Sequence, residues 1–134
     1  MKRLLKILFA VCVLLSCTTH PILASNINNA RWQNVTFIFN DLQNVDGELE
    51  CFISIESPQG ASTENVTISL DKITTSGTVN ITSWENLSGN YRFTFLEYVP
   101  VAELKGTYRL TVSADVILDG VVEHIEDSTE KYYA

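Results

Sequence analysis

From Val35 onward, apolar and polar residues alternate with a period of two, and no segment sustains the 3.6-residue period of a helix. Val35, Phe37 and Phe39 alternate with Thr36 and Ile38, predicting a first strand with its apolar face on the odd-numbered positions. Asp46-Gly47 marks a turn, after which Leu49, Cys51, Ile53 and Ile55 alternate in a second strand. Ser57 to Gly60 breaks the pattern, and Val66, Ile68 and Leu70 form a third. A turn over Thr74–Gly77 leads to Val79, Ile81 and the neighbourhood of Trp84. The Asn86–Asn90 stretch predicts another turn before Tyr91, Phe93 and Phe95. Beyond Pro100, the longest clean alternation follows: Tyr108, Leu110, Val112, Ala114 and Val116. Asp119-Gly120 is a strong hairpin signal, and Val121–Glu126 returns as the last strand. Seven short strands rich in β-branched and aromatic residues predict an all-β, antiparallel sandwich over residues 32–127. A flexible segment at 25–31 and a tail at 128–134 would flank it.

The start of the chain follows a different pattern. Lys2, Arg3 and Lys6 precede an uninterrupted apolar run from Ile7 to Leu15, and a more polar segment leads to Ile22-Leu23-Ala24. That order is the layout of a secretory signal peptide, expected to be removed after Ala24. The run is too short to cross a bilayer as a helix of roughly 20 residues. A second reading is Leu14-Leu15-Ser16-Cys17, a lipobox-like pattern in which Cys17 is lipidated and the protein is held at the cell surface. Either way the mature chain is expected outside the cytoplasm, touching a membrane only through such an anchor.

Two local resemblances sharpen the fold. Leu104-Lys-Gly-Thr-Tyr108, followed by Arg-Leu-Thr-Val-Ser-Ala114, resembles the fibronectin type III stretch near its penultimate strand. It implies an immunoglobulin-like or fibronectin type III-like sandwich in which Tyr108 forms a tyrosine corner, its phenol bonding back to the backbone. The Ser83-Trp84 pair, the Tyr108–Val112 strand, and Asp119-Gly120 with Glu123 are together similar to a group of small secreted β-domain proteins from Gram-positive bacteria. That group carries no known activity, so no site residues transfer.

Charge narrows the partners. The chain has 9 Lys+Arg and 16 Asp+Glu; without Lys2, Arg3 and Lys6 the balance is 6 against 16, a net charge of −10. Such a surface repels nucleic acid and anionic lipid, leaving an unknown protein or glycan at the cell surface as the expected partner. Candidate chemistry is thin, and no cofactor is expected. Past the leader, His124 is the lone imidazole and Cys51 the lone thiol, so neither a Ser/His/acid triad nor a zinc ligand set can be assembled. Cys51 shares its strand face with Leu49, Ile53 and Ile55, as a core residue would. Carboxylates crowd the turns at Asp41–Glu48 and Asp115–Asp127, where solvated loops compete with a Ca²⁺ site, but no Asp-x-Asp-x-Asp-Gly loop is present. Four Asn-x-Ser/Thr sequons fall at Asn34, Asn65, Asn80 and Asn86. Among the aromatics, Trp32 and Tyr98 lie near segment ends and are the candidate binding surface, whereas Trp84 and Tyr91 suit the core. The sequence therefore predicts a non-enzymatic binding module. The alternatives are a small enzyme inhibitor presenting Glu97–Gly106 around Pro100 and, less favoured, a hydrolase.

Overall fold

The computed structural model describes residues 32–134. The leader, its cleavage site after Ala24, Cys17 and the 25–31 segment lie outside the described residues. Seven strands follow one another: β1 (Phe37–Val45), β2 (Glu48–Glu56), β3 (Ser62–Thr74), β4 (Gly77–Asn90), β5 (Arg92–Pro100), β6 (Gly106–Leu118) and β7 (Val121–Tyr133). They build two antiparallel sheets, one in the order β1-β2-β5 and one in the order β4-β3-β6-β7. There is no helix among the described residues.

Turn chemistry sets the register. Asp46 and Gly47 carry φ of 52° and 88°, and Asp119 and Gly120 carry 51° and 78°. Positive φ at both central positions is the twist-matched two-residue hairpin, which Asp-Gly supplies at low cost. It joins β1 to β2 and β6 to β7, with Val45 opposite Glu48 and Leu118 opposite Val121. The acidic residues of these turns are thus explained by backbone geometry.

Alternate side chains of both sheets meet in one core. Leu49, Cys51, Ile53 and Ile55 of β2 face Val66, Ile68 and Leu70 of β3 and Leu110, Val112, Ala114 and Val116 of β6, all fully buried. Each large aliphatic side chain among them contributes roughly 1.5–3 kcal/mol of burial, against the entropy of ordering the chain. Trp84 of β4 closes one side, its ring edge-on to Phe95 of β5 at 4.8 Å.

Three expectations need correction. First, residues 128–133 are not a tail: β7 runs on to Tyr133, paired with β6 as far as Gly106. This end seals the seam between β7 and β1. Lys131 Nζ donates to the Leu42 carbonyl at 2.9 Å, and Tyr133 packs beside Tyr108 with ring centroids 6.2 Å apart. Second, the apolar face of β1 is inverted. Leu42 is its one fully buried residue, while Phe37 and Phe39 face solvent. Asn40 occupies the inward side and donates to the Leu110 carbonyl at 3.2 Å. Third, residues 86–90 continue β4 rather than turning. Asn86, at φ 56°, lies near register irregularities between β3 and β4, and the chain leaves the sheet only at Tyr91. Gly89 sits close against β5: a Cβ there would stand 3.0 Å from the Phe93 ring, which would have to give by a few tenths of an ångström.

Candidate docking face

The outward side of the three-stranded sheet follows from its register. Five cross-strand rows read, from β1 through β2 to β5: Phe37, Glu56, Arg92; Phe39, Ser54, Thr94; Asp41, Phe52, Leu96; Gln43, Glu50, Tyr98; and Val45, Glu48, Pro100. Phe37, Phe39, Phe52, Leu96 and Tyr98 therefore form a diagonal apolar band across the sheet. Phe37 stacks on Phe39 at 6.3 Å, and Phe39 meets Phe52 edge-on at 5.7 Å. Phe37, Phe39, Leu96 and Tyr98 are 51%, 44%, 48% and 46% exposed. With aromatic side chains of about 200 Å² each, the band exposes on the order of 400 Å². Patches of that size on monomers are often functional.

Carboxylates gather chiefly along one side of the band. Glu56 lies on one flank, and Asp41, Glu50 and Glu48 on the other, with Arg92 as the one cation on the face. The neighbouring Glu50, by hydrogen bonding and then by its charge, raises the Tyr98 phenol's pKa above its ordinary value.

Of the two sequence-predicted surface aromatics, Tyr98 belongs to this face and Trp32 does not. Trp32 is half-buried and packs against the core. The neighbouring backbone is tied to the far sheet. Glu123 accepts from the Gln33 and Asn34 amides at 2.8 and 2.5 Å, and Asn34 Nδ2 donates to the Val116 and Val121 carbonyls. Asn34 is 6% exposed with its amide committed, so this sequon presents no acceptor at the surface. Of the band's other residues, Phe37 and Phe39 read as core by alternation, and Phe52 is marked by Cys51-Phe52-Ile53, apolar on both faces of one strand.

The remaining candidates are structural. Tyr108 donates its phenol to the Glu103 carbonyl at 2.5 Å and has Lys72 Nζ 5.4 Å over its ring. This pins the 101–105 connection, and Glu97–Pro100 are strand residues, leaving a short tethered loop where an inhibitor would need a presented one. His124 is paired through Nδ1 with Asp115 at 2.8 Å, and Asn65 donates to the other Asp115 oxygen at 2.9 Å. Chiefly the Asn65 hydrogen bond, then the one from His124, holds the Asp115 carboxyl below its usual range. Cys51 is fully buried, and desolvation, helped by Glu97 and Glu50, pushes its thiol up to about 12. Such a thiol is protonated and inert at neutral pH. No group of three or more His, Cys, Asp or Glu able to hold a metal ion occurs among the described residues. Compared with known families and curated proteins, the chain matches no family model and no curated relative.

Proposed function

We propose that this chain is an extracellular, non-enzymatic interaction module that works through the outer face of its three-stranded sheet. The single observation carrying this reading is the diagonal band Phe37, Phe39, Phe52, Leu96 and Tyr98, left open to solvent on the outer face of the three-stranded sheet. The export-like leader and the acidic composition support an extracellular setting. The finer fold assignment is fibronectin type III-like. It is supported by the strand order β1-β2-β5 against β4-β3-β6-β7 and by the Tyr108 phenol bonding back to residue 103 ahead of β6. Function lives in the site rather than in the fold, so the face is what needs testing.

The test is capture of cell-wall fractions, glycans and secreted proteins by the purified protein and by a Phe39→Ser/Leu96→Ser variant. Both positions are half-exposed, so the variant keeps its core. Saturable binding that the variant loses supports the module. Turnover of a glycan, ester or peptide that vanishes on mutation of a carboxylate would overturn it. N-terminal sequencing of exported material separates a free form beginning at Ser25 from one blocked at a lipidated Cys17.

A further inference from the structure

Resting on the reading of this face as a docking surface, we infer that its occupant is a cationic amphipathic helix of another protein. Its apolar ridge lies along the diagonal band, and its Lys or Arg side chains meet the flanking carboxylates.

Three features of the face lead to this chemistry. From Phe37 to Tyr98 the band advances three rows along the strands and two strands across. At about 3.4 Å per residue and about 4.8 Å between strands, that is roughly 22 Å, the length of a helix of about 15 residues. A segment lying across a sheet face meets side chains, because the strands' N–H and C=O groups lie in the plane of the sheet and those of β2 are paired on both sides. It must satisfy its own N–H and C=O groups, which a helix does and an extended strand does not. Finally, Asp41, Glu48 and Glu50 make one flank of the band negative, whereas on the other Glu56 stands opposite Arg92. A ridge of Leu or Phe with Lys or Arg along the border that meets Asp41, Glu48 and Glu50 complements that arrangement, and electrostatic complementarity of this kind fixes partner choice.

The same features disfavour a second copy of this chain. Face-to-face pairing would bring carboxylate flanks of like sign together. An exposed band on the order of 400 Å² is also about half of the roughly 800 Å² per partner that a stable interface buries.

The experiment uses a fluorescently labelled 15-residue Leu/Lys amphipathic peptide, its Leu/Glu counterpart and a sequence-scrambled Leu/Lys control. Anisotropy is read at low and at moderate salt. The Leu/Lys peptide is expected to bind the wild type, weakening as salt shortens the range of charge attraction. Phe39→Ser/Leu96→Ser should reduce affinity at least about tenfold, since each side chain loses part of its burial on docking. Glu50→Gln/Glu56→Gln should weaken binding and flatten its salt dependence with the melting temperature kept. Equal binding of the Leu/Glu peptide or of the scrambled control, or no binding of the Leu/Lys peptide, overturns the inference. So does sedimentation as a dimer that the Phe39→Ser/Leu96→Ser variant abolishes, which would give the face to a second copy. If the peptide fails while cell-surface or secreted material is still captured in a face-dependent way, the cationic helix falls and the docking face stands. If nothing depends on Phe39 and Leu96, both fall.

Discussion

Replacing Tyr108 with Phe isolates one hydrogen bond in an otherwise unchanged ring. The side chain is 1% exposed, its ring packs on Tyr133, and its phenol reaches the Glu103 carbonyl at 2.5 Å. Phe keeps the ring contacts and the approach of Lys72, so only the donor is lost. A neutral intramolecular hydrogen bond contributes about 0.5–1.5 kcal/mol net, and a carbonyl left dry adds up to about 3. Here the carbonyl borders an open cleft of about 300 Å³ lined by Lys72, Ile81, Pro100 and Glu103, where water can replace the phenol. The expected cost is therefore near the lower figure, about 1–1.5 kcal/mol, or a fall in Tm of very roughly 4–10 °C for a domain of this size. Urea unfolding followed by fluorescence should show a lower midpoint with an unchanged slope, because the surface exposed on unfolding is the same. Tyr108→Leu, which also removes ring contacts, should cost distinctly more. A Phe variant within about 0.3 kcal/mol of wild type would refute the bond as a stabilising contact.

Cys51 should resist alkylation and thiol–disulfide exchange in the native protein and react promptly once denaturant opens the core, since its thiol is buried with a pKa pushed up to about 12. Native-state labelling at neutral pH within minutes would show that β2 opens easily. Asp115 gives a pH dependence of defined sign. Its folded pKa is depressed, so its contribution is present above the unfolded value and fades as pH falls through the lower folded one. Asn65→Ala should shrink that acid limb, modestly because the group is solvent-screened; an unchanged acid-denaturation profile would contradict the assignment. Deleting residues 128–134 should destabilise by several kcal/mol, since it removes Tyr133 from the seam and the Lys131 bond to Leu42. A truncated protein melting like the full chain would restore the tail reading.

Strands β2 and β6 were legible because their alternation coincides with burial on one face, and the Asp-Gly hairpins because two positive-φ positions select those residues. What misled was residue chemistry that contradicts burial. Phe37 and Phe39 look like core and are surface, whereas Asn40 looks like surface and points inward, so the face of β1 was assigned backwards. Ser128-Thr129-Glu130-Lys131 lacks apolar alternation because it edges the sheet, and its pairing partner on β6 supplies the order. Tyr98 was found as an exposed aromatic, but its neighbours on the band come from three strands, and only register places them side by side.

The bonds from Asn34 to Val116 and Val121, from Glu123 to Gln33 and Asn34, and from Lys131 to Leu42 join residues that lie 80 or more positions apart. A chain emerging N-terminus first from a ribosome holds its first strand ready long before the last has arrived. Contacts of such long range close late and slowly. Until Tyr133 is in place the seam between β7 and β1 stays open, so closure of the sandwich waits on the pairing of its last strand.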